Sequence, residues 1–295
     1  MMEGLSQTRV TVRDISLSVR QGGSGPPLLL LHGFPQTSMM WHRVAPALLA
    51  DFTLVVPDLP GYGASDAPED GPPRYAKREM ARDMVALMEA LGHSRFLIAG
   101  HDRGGRVAYR LSLDHPDRVI ALACLDIVPT GALWADFTVQ RALSFYHWLF
   151  LAQPAPLPER LIGGDPSYFL DTTMAGWTKP KDLSPFAAEA MAEYRAAFSR
   201  SQNIRGACDD YRAGATIDRT HDDEDLASEK TIAVPTLILW GAAFAAGDGR
   251  SPLDVWRATF APNATGQPLD CGHFLCEEAP QAVTEALTAF FKDHR

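Results

Sequence analysis

Unbroken apolar runs, each closing on a glycine or aspartate turn, constrain the fold of this chain more than any other feature. Pro27–Leu31 ends in His32-Gly33-Phe34-Pro35, and residues 52–56 end in Asp58 and the turn Gly61-Tyr62-Gly63. Residues 95–99 run into Gly100-His101-Asp102-Arg103-Gly104-Gly105, Val119–Leu125 into Asp126, and residues 236–240 form a fifth run. A strand with one wet face alternates apolar with polar side chains. One that is apolar throughout is covered on both faces, as in a parallel sheet between layers of helices. Helical stretches separate the runs. Residues 77–91 space Met80, Met84, Leu87, Met88 and Leu91 along one side, and residues 106–115 do the same with Val107, Ala108 and Leu111 before Pro116. These stripes read as core packing. Residues 9–13 and 15–20 alternate and predict an early β-hairpin, and residues 280–291 a closing helix.

Residues 130–227 break the alternation. They are rich in Ala, Pro and aromatics and carry no strand pattern, which predicts a helical cap inserted into an α/β core made of residues 1–129 and 228–295. A chain of 295 residues, 46% hydrophobic and 21% charged, is long enough for one large core plus such an insertion, and too apolar to be disordered. With 27 basic against 36 acidic residues the net charge is −9, so the surface repels nucleic acid and anionic lipid, and neither is expected as a partner. An anionic substrate would need a local basic pocket. Met1 to Arg20 lack an apolar signal-peptide core, and no stretch reaches the roughly 20 apolar residues of a membrane span. A soluble, cytoplasmic protein is expected. Cys124, Cys208, Cys271 and Cys276 show no CxxC spacing and read as free, mostly buried thiols.

Chemistry concentrates at Gly100-His101-Asp102-Arg103-Gly104, where a strand becomes a helix. A nucleophile at such a turn is lifted above the sheet and faces helix N–H groups, and the usual motif is G-x-S-x-G. Asp102 replaces the serine. A serine that displaced halide from an alkyl carbon would be left as an inert ether, whereas a carboxylate gives a hydrolysable ester. An aspartate here can also be a simple helix cap. The upstream His-Gly-Phe-Pro and the downstream Asp270-Cys271-Gly272-His273-Phe274 favour the nucleophile. In the order nucleophile, acid, histidine, His273 is placed as general base for the water that attacks the ester. Two aspartates are positioned to orient it, Asp126 after the fourth run and Asp248 after the fifth.

Arg103 and Arg106, three residues apart, share one helix face. Paired guanidiniums match the bidentate geometry of a carboxylate and keep a neighbouring Asp102 ionised; the alternative is an ordinary surface or ion-pair role. The substrate they predict is a short α-halocarboxylate. The backbone N–H groups of Phe34 and Arg103 are the nearest in pattern to an oxyanion hole. His101 and Trp177 are read as shaping the pocket.

Residues 9–292 are similar to the α/β-hydrolase superfamily in the order of elements and in the cap. Asp102-Arg103 with Arg106 above all resemble the fluoroacetate dehalogenases within it. Related haloalkane dehalogenases and epoxide hydrolases typically carry Trp where Arg103 stands. The resemblance implies an α/β-hydrolase fold, a mostly parallel sheet flanked by helices with an inserted cap. It implies Asp126 as the acid; the residues directly after Trp240-Gly241 also hold none. His147-Trp148 resemble the family's His-Trp pair and Tyr211 its tyrosine, three donors that would cradle the departing halide. Adjacent helical residues diverge by about 100°, so His147 and Trp148 converge only on a pocket between them. A homodimer is implied by the resemblance alone, and no metal or organic cofactor is implied. The alternatives are an epoxide hydrolase, whose cap usually offers two tyrosines, and a catalytically idle carboxylate-binding hydrolase fold.

Overall fold

A computed structural model describes residues 2–242 and 249–295. The described residues form an eight-stranded sheet of β1 (Ser6–Val12), β2 (Ile15–Gly23), β3 (Pro27–Leu31), β4 (Thr53–Pro57), β5 (Phe96–His101), β6 (Val119–Leu125), β7 (Thr236–Gly241) and β8 (Thr265–Leu269). Their spatial order is β1-β2-β4-β3-β5-β6-β7-β8. β1 and β2 make the hairpin, β2 is antiparallel to β4, and the pairings from β4 through β8 are parallel.

The apolar runs occupy the centre, as two-sided burial requires. Leu28, Leu29, Leu30 and Leu31 of β3 and Leu97, Ile98 and Ala99 of β5 are fully excluded from solvent. Burying each leucine or isoleucine contributes about 1.5–3 kcal/mol relative to leaving it exposed. β8 carries no apolar run because it is an edge strand, with Leu269 its only buried residue. The helix after β5 spans Asp102–Asp114, four residues longer at its start than the spacing predicts. Gly104 and Gly105 are poor helix formers and hide its first turn from a pattern search.

From β3 the chain passes outward to β4, then returns through the helix Lys77–Ala90 to β5 on the other side of β3. Connections leaving β3 and β5 therefore diverge, and a crevice opens at the carboxyl ends of the strands. Residues 32–35, Asp102, Asp126 and residues 270–273 all follow strand ends at this edge.

Between β6 and β7 the described residues form helices at Thr130–Ala135, Val139–Ser144, Tyr146–Leu151, Leu157–Gly164, Pro166–Trp177, Ala188–Phe198, Ser201–Ala215 and Ile217–Ala227. All four cysteines are buried and unpaired. No helix among the described residues is long and apolar enough to cross a membrane.

Candidate active site

Asp102 adopts φ +44°, a left-handed conformation that costs a non-glycine residue about 1–3 kcal/mol. The turn closes because its flanking residues have no side chains. A Cβ on Gly104 would lie 2.3 Å from the His32 carbonyl oxygen, and one on Gly100 would lie 2.4 Å from the Gly104 oxygen. The Asp102 side chain meets the loop after β3, where Oδ2 accepts a hydrogen bond from the Phe34 N–H at 3.0 Å. Arg103 lies in the first turn of the helix, where backbone N–H groups have no intrahelical acceptor. Burial alone would raise the Asp102 pKa. The charges of His273, Arg103 and Arg106 outweigh it and hold the carboxyl below its usual range.

His273 reaches the same place from the loop after β8. Its Nδ1 lies 2.6 Å from Asp126 Oδ2, while Asp126 Oδ1 accepts the Gly241 N–H at 2.7 Å. With both carboxylate oxygens accepting, the imidazole proton sits on Nδ1 and leaves Nε2 free as a base. Burial depresses the His273 pKa, but the bond to Asp126 and the charges of Asp126 and Asp102 raise it overall. Asp248 falls among residues 243–248, outside the described residues. Asp126→Asn would present an N–H to Nδ1 and favour the wrong tautomer. Turnover is expected to fall roughly 10³-fold; full activity in that variant would exclude Asp126 as the orienting acid.

His101 takes a different place from the one its sequence position suggested. It is fully buried outside the pocket, its pKa pushed down to about 3 by burial, and Nε2 donates to the His273 carbonyl at 2.8 Å. It therefore supports the His273 loop, which is also held by the His273 N–H donating to the Trp177 carbonyl at 3.0 Å.

A cavity of about 360 Å³ brings Asp102, Arg106, Asp126, His147, Trp148, Trp177 and His273 together, with the exposed Lys179 and Lys181 also on its border. Arg106 is buried in the wall. Its Nη1 donates to the Val128 carbonyl at 3.1 Å and to Thr130 Oγ1 at 2.9 Å, its guanidinium lies over the Trp148 ring at 4.6 Å, and Nε has no partner.

Arg103 is not part of the wall. It is fully buried and paired with Asp210, an acid the sequence reading missed. Nε bonds both carboxylate oxygens at 3.1 and 3.2 Å, and Nη2 bonds the Asp210 carbonyl at 2.8 Å, so only Nη1 lacks a partner. One signal was available: an aspartate on the buried stretch Ala207, Cys208, Asp210, Tyr211 of a cap helix needs a buried cation.

His147 and Trp148 both border the cavity, so adjacent helical residues do converge there. Tyr211 stands outside its wall, with its ring centroid 5.7 Å from those of both His147 and Trp148. Burial pushes the His147 pKa down to about 3 and the Tyr211 pKa well up, so both side chains are neutral. Trp148 Nε1 and the Tyr211 hydroxyl donate to no other described residue, and His147 Nδ1 is buried without a partner. Neutral donors with no acceptor can solvate an anion that forms between them.

Residues 26–280 match the family model of the alpha/beta hydrolase fold. The chain is 41% identical over 297 residues to a fluoroacetate dehalogenase of Burkholderia sp., covering 100% of this chain and 96% of that one. It is 36% identical over 274 residues to a soluble epoxide hydrolase of Corynebacterium sp. strain C12, covering 91% of each. A crystal structure from Nostoc sp. PCC 7120, provisionally described as an alpha/beta hydrolase, superposes with a TM-score of 0.94 at 45% identity over 99% of both chains. The chain belongs to the α/β-hydrolase fold family.

Proposed function

We propose that this protein is a hydrolytic dehalogenase of short α-halocarboxylates that converts fluoroacetate and water to glycolate and fluoride. Arg106 carries the reading. It is a buried guanidinium on the wall of the cavity that holds Asp102, with no carboxylate at ion-pair distance among the described residues. A buried cation without a direct ion-pair partner is costly, and an anionic guest in the cavity offsets part of that cost. The 41% identity to a fluoroacetate dehalogenase supports the same reading.

In the first step Asp102 Oδ1 attacks the α-carbon opposite the halogen, while the Phe34 N–H holds Oδ2. The carbon–halogen bond breaks as the ester bond forms, and the halide leaves towards His147, Trp148 and Tyr211. Arg106, on the cavity wall, holds the carboxylate, while Arg103 stays behind the wall, paired with Asp210. In the second step water attacks the Asp102 carbonyl carbon and gives a proton to His273 Nε2. The oxyanion is met by the N–H groups of Phe34 and Arg103. Collapse releases the hydroxy acid and restores Asp102. The charge on Asp102 helps hold His273 protonated, so esterification removes that contribution and lowers the His273 pKa when a base is needed. Residues 130–227 act as the cap that excludes bulk water.

Fluoride is the smallest halide and the strongest hydrogen-bond acceptor among them. His147→Ala and Tyr211→Phe are therefore expected to lower kcat for fluoroacetate roughly tenfold more than for chloroacetate. Equal losses with the two acids would remove the cradle from the mechanism.

An epoxide hydrolase reading would need two cap tyrosines beside the nucleophile. Tyr146 and Tyr168 are exposed, and Tyr194 donates to Glu277 at 2.6 Å, which leaves Tyr211 alone near the cavity. Halide release from fluoroacetate and chloroacetate tests the proposal directly. No release from either acid, with diol formed from a neutral epoxide, would overturn it.

A further inference from the structure

His273 is held at two levels. Asp126 grips its ring through Nδ1, but the backbone that carries the ring lies in a loop and needs holding of its own. The His273 carbonyl accepts His101 Nε2 at 2.8 Å, and the His273 N–H donates to the Trp177 carbonyl at 3.0 Å. The remaining hold comes from Glu278, the last residue of the short helix Leu275–Glu278. Its side chain folds back so that Oε2 accepts the Gly272 N–H at 2.9 Å and Oε1 the Phe274 N–H at 3.1 Å. Phe274 stands at the N-cap of that helix, where its N–H has no intrahelical acceptor. One carboxylate thus binds the residues on both sides of the base.

The same Oε2 accepts the Lys179 N–H of the cap at 2.8 Å. Trp177 and Lys179 border the cavity, so Glu278 also ties the His273 loop to the cavity wall. The approach is close: a Cβ on Gly272 would lie 2.5 Å from both the Lys179 nitrogen and the Trp177 oxygen. A further link at this edge is the Lys179–Asp270 ion pair, which is exposed on both sides and weakened by water. N–H bonds to a half-buried carboxylate are the stronger tie.

We infer that Glu278 is a positioning residue for His273, fixing its backbone from both flanks while Asp126 fixes its ring. What His273 does in the reaction rests on the dehalogenase reading above. Displacement of halide needs only Asp102, whereas hydrolysis needs water, base and ester carbon aligned. A catalytic group misplaced by about 1 Å costs roughly 100-fold in rate. Loosening this loop therefore slows the second step and spares the first. Glutamine at 278 keeps one acceptor oxygen. Placed where Oε2 lies, it still serves Gly272 and Lys179, but its NH2 meets the Phe274 N–H, donor against donor. Alanine loses all three bonds.

The test is a rapid-quench single turnover of chloroacetate by the full chain, following chloride and, by intact mass, alkylated Asp102. Glu278→Ala is expected to lengthen the lifetime of the adduct roughly 100-fold and Glu278→Gln roughly tenfold, with chloride release within about twofold of wild type. Asp270→Asn, which removes only the exposed ion pair, is expected to leave both steps within about twofold. A merely structural Glu278 would slow both steps by one factor, and that result overturns the inference. An equal lengthening in Asp270→Asn also overturns it, since any loosening of this edge would then suffice. Should Glu278→Ala fail to fold, Glu278→Gln carries the same comparison. A wild type that releases no halide would overturn the dehalogenase reading and this inference together. Chloride release with an unchanged adduct lifetime in the Glu278 variants would overturn this inference alone.

Discussion

Asp102→Asn is expected to lower halide release from fluoroacetate and chloroacetate by at least about 10⁴-fold, the scale on which loss of a covalent nucleophile is felt. The substitution is chosen to spare the fold. Asparagine tolerates the left-handed φ of +44° better than most residues, and its amide oxygen can still accept the Phe34 N–H. What it lacks is the anionic oxygen for displacement. The thermal midpoint should remain within a few degrees of wild type. Activity above about 1% of wild type in a folded, homogeneous Asp102→Asn sample would mean that another group makes the bond to carbon.

His273→Gln is expected to separate the two steps. Displacement needs only ionised Asp102, so each enzyme should release one halide and then stall with its carboxylate alkylated. Steady turnover should drop roughly 10²–10⁴-fold, the contribution of a positioned base. Intact-protein mass after exposure to chloroacetate should rise by one carboxymethyl group. The wild type should show the same division with pH. The Asp102 carboxyl is held below its usual range by neighbouring positive charge, so the halide burst persists into mild acid. Turnover falls sooner, because His273, whose pKa the bond to Asp126 raises against the effect of burial, is protonated in acid and cannot act as base there, even after esterification has removed the Asp102 contribution. Steady turnover by His273→Gln with no adduct would remove His273 from ester hydrolysis.

Much of the fold was legible because its central strands are buried on both faces. β3, β5, β6 and β7 are apolar almost end to end, so their signal survives without any knowledge of their neighbours. β8 escaped for the converse reason: an edge strand reading Thr-Gly-Gln-Pro-Leu needs no apolar pattern. At the site, the glycines around Asp102 and the spacing of Arg103 to Arg106 are local features and could be read directly. The partners of those arginines are not local. Asp210 lies 107 residues beyond Arg103, and nothing in the turn from Gly100 to Gly104 indicates that one guanidinium is neutralised while the other is not. His101 shows the same limit, since a residue beside Asp102 turned out to face the His273 loop. Direction of a side chain depends on backbone strain and packing, and neither is carried by residue type alone.

The most direct measurement is a single turnover with excess enzyme in ¹⁸O-labelled water, followed by peptide mass analysis and analysis of the glycolate. With an Asp102 ester, the oxygen that bonds to the α-carbon comes from the carboxylate. The expected result is therefore label in the peptide holding Asp102 and unlabelled glycolate from the first cycle. Label in the first-cycle glycolate with none on Asp102 would mean that water attacks the carbon directly, and would contradict covalent catalysis by this residue.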